Sequence, residues 1–424
     1  MKKLVSLSLV LLIVVLSASP VFAEELIRTT RPEIENSRYA LLYEESTDTI
    51  LYDKDAYKGN APASMTKVMA AVIVLEHNPE LKGTATVSAK AISTQYCYWL
   101  DDWHLLEGEE VSVEDLMNYF LIVSGNEAGT TLAEYTCGDI DVFIAEMNAK
   151  ALELGMNDSR YYDPHGLSDY NRVTCEDMLK LCRYAMTFDK FREIVCKTQG
   201  TLPASNKHSS PYHYTTTNRV MNPRGTSEYK TGFEQDIIGI KTGFTNAAGN
   251  NLSCCMVHDD LTFYSVVMHA HDEKNANGSW IEMHYADTAE LMKWARSFKK
   301  VGMAAGTEGR LLKGTKFSMF KNVYVKTAED VYILAQDEVE PTYEYFMGTK
   351  VKAGDIVGKM TYTDEFGNSR STDLIATADA GTVWRYYIGG LLLAAAFGFS
   401  AGAIGKKNRK DPRKPTDKKD IRHL

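Results

Sequence analysis

The order of predicted elements indicates an α+β fold, in the α/β class: an antiparallel sheet with helices on its faces and a helical lobe inserted between its strands. Two β-like runs come first, at residues 40–43 and 50–52. A helix-rich stretch follows between about residues 111 and 200, and three β-like runs and the helical segment IEMHYADTAELMKWARSF come after it. This order of strands, helices, strands and a final helix is what predicts the architecture.

Individual elements follow from local patterns. The polar turn from Glu44 to Asp48 between two apolar runs predicts a hairpin. ASMTKVMAAVIVLEHN has apolar residues so widely spread around the helical wheel that a helix buried on most sides is expected, with Ser64 at its start. The segments of the helical lobe show a 3.6-residue period, and Ser112 and Thr174 are predicted N-caps.

A change in composition near residue 299 predicts a second domain. Residues 24–298 are assigned to the main domain. Residues 299–382 carry short β-like runs such as FKNVYVKT and DVYILAQ, with turns between them and no cluster of catalytic residue types. A small all-β domain is therefore expected between the main domain and the C-terminal segment.

Both ends of the chain are predicted to lie outside these domains. Residues 1–23 have two lysines, an apolar run and small residues before Glu24, the layout of a cleavable signal peptide, with a membrane anchor as the alternative. Residues 386–405 carry no charge and are long enough for a transmembrane helix, with a peripheral amphipathic anchor as the alternative. The basic tail at residues 406–424 is expected in the cytoplasm. The prediction is a cell-membrane protein with one span and an exported catalytic domain.

Charge and cysteine usage exclude several classes of function. Residues 24–405 carry a net charge of −17 and no long basic stripe, so nucleic acid is not an expected partner. The seven cysteines form no CxxC pair and no regular spacing, so neither a disulfide scaffold nor a zinc site is predicted. Their odd number suggests an exported protein made where oxygen is scarce.

Candidate chemistry begins at Pro62-Ala63-Ser64-Met65-Thr66-Lys67. A serine needs a base within hydrogen-bond reach to become a nucleophile, and on a helix the residue three positions later lies beside it. Lys67 can be that base only if burial or a second cation lowers its pKa. The apolar helix is expected to supply the burial.

Two further motifs complete a set of three. Ser124-Gly125-Asn126 lies between two helical segments and offers a hydroxyl and an amide. Lys-Thr-Gly occurs twice, at residues 230–232 and 241–243. S-x-x-K, S-x-N and K-T-G in this order occur in penicillin-binding proteins and class A β-lactamases.

PASMTK, SGN and GIKTGFTNAAGNNL resemble the serine-type D-alanyl-D-alanine carboxypeptidases, the low-molecular-weight penicillin-binding proteins of peptidase family S11, over roughly residues 36–300. In that family the active Lys-Thr-Gly is preceded by Gly-Ile or a similar pair and followed by Thr and Ala-Gly. The resemblance therefore selects the copy at Lys241. The copy at Lys230 lacks this frame and is interpreted as a chance repeat on a connecting loop.

The resemblance also implies a role for each residue. Ser64 would attack the carbonyl carbon of the D-Ala-D-Ala bond and Lys67 would accept its proton, while Ser124 would pass a proton to the leaving D-alanine. Backbone N–H groups of Ser64 and Phe244 would hold the oxyanion. The remaining substrate contacts are assigned to the side-chain amide of Asn126 and to the strand residues Lys241, Thr242, Gly243 and Phe244.

The partners implied are peptidoglycan stem peptides as substrate and β-lactams as covalent inhibitors, with no metal or cofactor. Lys241 is a candidate for the second cation beside Lys67. Phe244 departs from the family, in which some members have His after Lys-Thr-Gly. Many members also carry an Arg after the last core strand, where this chain offers only Lys274. His165, in a His-Gly-Leu loop similar to one in the family, is interpreted as structural.

Three alternatives stay open at this point. A class A β-lactamase shares the three motifs, but its deacylating Glu comes from an ExxLN loop. This sequence has no ExxLN motif between residues 127 and 230. A D,D-endopeptidase or transpeptidase differs only in what reaches the acyl-enzyme. A wall-binding module with an inert site would be favoured if Ser64 or Lys67 were replaced, and both are intact.

Overall fold

The structure is a computed structural model that describes residues 30–94, 103–223, 227–275, 277–311, 323–346 and 350–381. The predicted signal peptide, membrane span and basic tail lie outside these residues. Within the described ranges, every helix is too short or too polar to span a bilayer. The chain divides into two compact units, one made of residues 1–300 with 334–337 and the other of residues 301–333 with 338–424.

The first unit contains the mixed α/β fold. Its strands are β1 Ser37–Glu44, β2 Thr49–Lys54, β3 Thr84–Thr86, β4 Glu110–Ser112, β5 Gln199–Leu202, β6 Tyr212–Thr215, β7 Ile237–Thr245, β8 Gly249–His258, β9 Leu261–Ala270, β10 Glu273–Lys274 and β11 Trp280–Ile281. Its helices are α1 Thr66–His77, α2 Ala89–Ile92, α3 Val113–Ile122, α4 Asn126–Cys137, α5 Ile140–Glu153, α6 Cys175–Ala185, α7 Asp189–Val195 and α8 Met283–Ala295.

One antiparallel sheet has five strands in the order β2-β1-β9-β8-β7. It pairs strands from the beginning of this unit's sequence with strands from its later part. Successive side chains of a strand point to opposite faces. Leu41 and Val266 belong to the apolar cluster that contains α1, whereas Leu42 and Val267 belong to the cluster that contains α8. Both faces of the sheet are therefore covered, which explains the continuous apolar runs in its strands.

The helical lobe lies between β2 and β7 in the chain, as predicted. Ser112 and Thr174 accept hydrogen bonds from the backbone N–H of Asp115 and Asp177, which confirms both predicted N-caps. The hairpin of β5 and β6 was not predicted, because its residues alternate without a clear apolar face. It lines the cavity described below.

The described residues of the second unit form strands and turns. Its strands, with the two that adjoin the unit boundary, are β12 Lys299–Met303, β13 Glu308–Leu311, β14 Val323–Thr327, β15 Val331–Ala335, β16 Thr342–Tyr345, β17 Lys350–Val351, β18 Ile356–Thr363, β19 Ser369–Ala376 and β20 Ala380–Gly381. Five of them form an antiparallel sheet in the order β13-β14-β19-β18-β16. Inward-facing Val325, Met360 and Leu374 are buried in this sheet.

Candidate active site

Ser64 lies in a single 3-10 turn, Ala63–Met65, that leads directly into α1. The turn places Lys67 one helical turn further along, with its Nζ 2.8 Å from Ser64 Oγ. The whole Lys67 side chain is buried, at 0% exposure. The hydroxyl and the amine are therefore in direct contact, in a setting that disfavours an isolated charge on the lysine.

Two carbonyl oxygens also lie within hydrogen-bond distance of the Lys67 amine. Its Nζ lies 2.7 Å from Asn126 Oδ1 and 2.7 Å from the backbone oxygen of His165. A neutral amine has two N–H donors and one lone pair. If both donors bond to these carbonyls, the lone pair is left to accept the proton of the Ser64 hydroxyl, as a general base requires.

The loop of Ser124 is held by an aromatic ring. Ser124 has a backbone φ of +73° and lies between α3 and α4, and Asn126 is the first residue of α4. A Cβ on Gly125 would lie 2.1 Å from a ring carbon of Tyr119, so only glycine fits between the loop and that ring. This packing turns the Ser124 side chain into the same cavity as Ser64.

The second Lys-Thr-Gly copy lies on β7, directly beside the serine. A Cβ on Gly243 would lie 2.5 Å from the Pro62 carbonyl oxygen and 3.1 Å from the backbone nitrogen of Ser64. Glycine thus allows the strand and the serine turn to touch. Lys241 is buried, and its Nζ lies 3.1 Å from the Thr242 carbonyl oxygen.

The first Lys-Thr-Gly copy, at residues 230–232, lies between two 3-10 turns and not on β7. Lys230 is exposed, between the 3-10 turns Ser227–Tyr229 and Glu234–Asp236. The backbone N–H groups of Thr231 and Gly232 donate to Glu234 Oε1, which closes a local turn. This copy is part of a connecting loop.

A cavity of about 710 Å³ opens in front of these residues. Ser64, Ser124, Thr242, Gly243 and Phe244 line it, and the hairpin of β5 and β6 forms the facing wall. The hairpin side chains that line the cavity carry mainly hydroxyl and amide groups. An extended polar chain can therefore lie along the edge strand β7 and form backbone hydrogen bonds.

Sequence reasoning missed Arg219, which also lines this cavity. Its Nη1 lies 2.6 Å from Glu282 Oε2. Nearby, Thr217 Oγ1 and Thr242 Oγ1 are 2.7 Å apart. The sequence gives no signal for Arg219, because it lies in an aperiodic segment 22 positions before Lys241.

Lys274 was the only cation that the sequence offered after the last core strand. It lies over the Trp280 ring and is not among the cavity-lining residues.

His165 contacts Lys67 through its backbone rather than its ring. Asp163 accepts hydrogen bonds from the backbone N–H groups of His165, Gly166 and Ser168, which shapes the loop. Burial lowers the pKa of the His165 ring to about 4, although the neighbouring Asp163 carboxylate opposes this effect. The ring is therefore neutral at physiological pH, in keeping with its interpretation as structural.

The family model for D-alanyl-D-alanine carboxypeptidase, peptidase S11, matches residues 26–272 of this chain. The chain belongs to the peptidase S11 family. It is a serine-type D-alanyl-D-alanine carboxypeptidase, a hydrolase of the penicillin-binding protein class. The identification made from the three motifs is thereby confirmed.

Relatives of this S11 carboxypeptidase cover most of its length. D-alanyl-D-alanine carboxypeptidase DacF of Bacillus subtilis is 26% identical over 73% of this chain and 78% of its own. The D-alanyl-D-alanine endopeptidase of Escherichia coli is 28% identical over 70% and 90%. The crystal structure of DacD from Francisella tularensis superimposes with a TM-score of 0.60 at 21% identity, over 86% of this chain and 100% of that one. This last similarity confirms the α/β fold.

Proposed function

We propose that this S11 carboxypeptidase removes the terminal D-alanine from peptidoglycan stem pentapeptides through an acyl-enzyme on Ser64. One observation carries the proposal: the buried Lys67 amine lies 2.8 Å from Ser64 Oγ, at the edge of a cavity lined by the other two motifs. Membership of the family supplies the substrate class. The residues supply the steps.

Acylation begins when Ser64 Oγ attacks the carbonyl carbon of the D-Ala-D-Ala peptide bond and its proton moves to Lys67 Nζ. The carbonyl oxygen becomes an oxyanion, which the backbone N–H groups of Ser64 and Phe244 hold. When the C–N bond breaks, the leaving nitrogen takes up a proton from the Ser124 hydroxyl, and Lys67 Nζ returns its proton to Ser124 and becomes neutral again. D-alanine departs and an ester on Ser64 remains.

Deacylation reverses the order with water in place of the amine. A water molecule gives a proton to Lys67 Nζ as its oxygen attacks the ester carbonyl carbon, and the proton passes to Ser64 Oγ as the ester bond breaks. The products are the shortened stem peptide and the free serine. No step requires a metal or another cofactor.

Substrate contacts are shared between β7 and α4. The Nδ2 donor of Asn126 suits the carbonyl of the acyl side chain, while its Oδ1 stays bonded to Lys67. The terminal carboxylate is assigned to Lys241 and Thr242, and we add Arg219. The Arg219 guanidinium is in the same cavity as Thr242 and is anchored by Glu282. Charge-assisted hydrogen bonds to a carboxylate are worth roughly 1.5–3 kcal/mol.

A fluorescent penicillin tests the acyl-enzyme. Because a β-lactam presents an acyl group to the same serine, we expect one covalent adduct on the peptide that holds Ser64, seen by intact mass and peptide mapping. Ser64→Ala should carry no adduct. Ser46→Ala, in the turn between β1 and β2, is a matched control that should label like the wild type. Labelling at another residue would contradict the mechanism.

Endopeptidase activity on cross-linked stem peptides is the second candidate. It is favoured by the similarity to the endopeptidase of Escherichia coli and by an open cavity of about 710 Å³. The test compares release of D-alanine from a pentapeptide monomer with cleavage of a cross-linked dimer at equal concentration. A faster rate on the dimer would make endopeptidase the main activity.

We also propose that the protein is exported and held at the cell membrane. The proposal rests on the signal-like residues 1–23, the uncharged residues 386–405 and the basic residues 406–424. Residues 24–298 would then form the catalytic domain and residues 299–382 a β-rich spacer outside the membrane. Deleting residues 386–424 should release an enzyme that still turns over soluble peptide. Retention of the shortened chain in the membrane fraction would contradict the anchor.

A further inference from the structure

Two helices of this protein carry candidate catalytic residues at one end and metal-ligand residue types at the other. Lys67 is near the start of α1 and Asn126 is the first residue of α4, and their side chains are hydrogen-bonded. His77 is the last residue of α1, and Cys137 is the last residue of α4. Because both helices contain 12 residues and pack together, the histidine and the cysteine also meet.

A third ligand comes from α5. Glu146 Oε2 lies 2.7 Å from His77 Nε2, and the nitrogen, sulfur and oxygen atoms of His77, Cys137 and Glu146 all lie within 4.8 Å of one another. We propose that these three side chains form a zinc-binding site, distinct from the catalytic cavity and independent of the function proposed above.

The donor set suits zinc. Imidazole nitrogen, thiolate sulfur and carboxylate oxygen are its usual protein ligands, and a tetrahedral ion with three of them keeps one position for water. Bond lengths of about 2.0–2.3 Å put neighbouring ligand atoms of such an ion about 3.5 Å apart. The observed separations, from 2.7 Å between His77 Nε2 and Glu146 Oε2 to at most 4.8 Å, bracket that spacing. Calcium and magnesium, which prefer all-oxygen sites, fit less well.

The electrostatic surroundings also favour a cation. His77 and Cys137 both end their helices, where the unpaired carbonyl groups carry partial negative charge. The nearby ammonium group of Lys150 is already paired, at 2.8 Å from Glu76 and 2.7 Å from Glu153. Thus a positive ion at the site meets helix ends and a carboxylate rather than an uncompensated lysine.

Zinc would replace a proton at the site. A cysteine thiol has an ordinary pKa of about 8.5, so the metal-free cysteine is mainly protonated at neutral pH. On binding, the S–H bond breaks, the sulfur keeps the electron pair and bonds to zinc, and the proton passes to solvent. Protons therefore compete with zinc, and binding should strengthen as pH rises.

The surroundings of Cys137 differ from those of the other described cysteines. Cys175, Cys182, Cys254 and Cys255 are fully buried. Cys196 is exposed, and its thiol contacts only a backbone oxygen among the contacts described for it, that of Glu193. Within the described ranges, His77, Cys137 and Glu146 form the one three-residue group with ligand spacing. Cys196 is thus a matched control.

Binding is measured by titrating the reduced full-length chain with Zn²⁺ in a calorimeter, and with Co²⁺ to detect a thiolate-to-cobalt charge-transfer band. We expect one ion per chain and micromolar or tighter affinity. Cys137→Ser and His77→Gln should weaken binding by at least about tenfold, while Cys196→Ser should bind like the wild type. Thermal melts in EDTA establish that each variant is folded.

Alkylation gives a second readout that needs no variant. Zn²⁺ should protect Cys137 from iodoacetamide and leave Cys196 reactive, as seen by peptide mapping. Zinc should also raise the melting temperature of the wild type by several degrees and that of Cys137→Ser by much less. Absence of zinc binding at 1:1 stoichiometry, equal affinity in Cys137→Ser, or equal alkylation of Cys137 with and without zinc would overturn the site.

Discussion

Asn126 Oδ1 lies 2.7 Å from Lys67 Nζ, which links two helices whose residues are 59 positions apart in the chain. The contact fixes one of the two N–H donors of a neutral lysine. If the backbone oxygen of His165 accepts from the other, the lone pair is available to the Ser64 hydroxyl, whose Oγ lies 2.8 Å away. The orientation of the base therefore depends on a residue of another helix.

Asn126→Ala should slow acylation because the amine loses an acceptor and can rotate away from Ser64. Leaving a buried donor without its acceptor costs roughly 1–3 kcal/mol, which corresponds to about a 5- to 150-fold fall in the second-order rate with a fluorescent penicillin. Asn118→Ala is the control, since its Oδ1 contacts Lys197 outside the site. Equal rates for the two variants would show that Asn126 does not orient Lys67.

Gly243→Ala should also slow acylation, for a steric reason. The added methyl group would lie 2.5 Å from the Pro62 carbonyl oxygen, so β7 and the serine turn must separate. We expect acylation to fall by more than about tenfold, as for a misplaced oxyanion donor. Gly309→Ala, where the added methyl meets no atom within 4 Å, should acylate like the wild type. An unaffected rate in Gly243→Ala would mean that this contact is not needed.

The two Lys-Thr-Gly copies can be separated by mutation. Lys241→Ala should abolish turnover of a D-Ala-D-Ala peptide, because this lysine is buried on the strand beside Ser64. Lys230→Ala should stay within about twofold of the wild type, since an exposed loop charge contributes little. Steady-state release of D-alanine is the measurement. Similar losses in both variants would refute the choice of copy.

Arg219 should read the terminal carboxylate of the substrate. We expect amidation of that carboxylate to cost about 10- to 150-fold in kcat/KM with the wild type, and clearly less with Arg219→Ala, because the partner charge is already absent. The rates of the wild type and of Arg219→Ala, each with the free acid and with the amide, form a double-mutant cycle. Arg183→Ala is the control. It removes a cation that pairs with Glu45 and is not among the residues that line the cavity. An unchanged ratio of acid to amide in Arg219→Ala would exclude the carboxylate contact.

His284 should make the fold sensitive to acid. Burial, with the Arg219 cation adding to it, lowers the pKa of this histidine to about 3, against about 6.5 in an unfolded chain. Between these values the unfolded state binds a proton that the folded state does not. The free energy of unfolding therefore falls as pH drops below 6.5, by at most about 1.4 kcal/mol per pH unit from this group.

His284→Gln should reduce the drop in melting temperature between pH 7 and pH 5, whatever its stability at pH 7. His271→Gln, at an exposed position, should keep the wild-type drop. Calorimetric or fluorescence melts at both pH values provide the comparison. The same pH dependence in His284→Gln as in the wild type would mean that this histidine is not buried in its neutral form.

Local patterns predicted much of the fold and the site. The hairpin, α1 and the N-caps Ser112 and Thr174 depend on residues within a few positions of one another, and so does the contact of Ser64 with Lys67 one helical turn apart. Dihedral preferences and helical spacing act over that range, so the sequence alone indicates them. The three motifs in order then identified the family without any knowledge of their distances in space.

Contacts between distant segments needed the tertiary structure. The local sequence gives no signal for the hydrogen bond of Lys67 to the His165 backbone oxygen, nor for the position of Arg219 in the cavity. Both arise when separate segments pack around one cavity. The convergence of His77, Cys137 and Glu146 is of the same kind: no short ligand spacing marks it, since three helices bring it about. By itself the sequence determined which residues can do chemistry, through local geometry. Which of them meet was decided by the burial of apolar helix and sheet faces, which packs distant segments together whatever their separation in the chain.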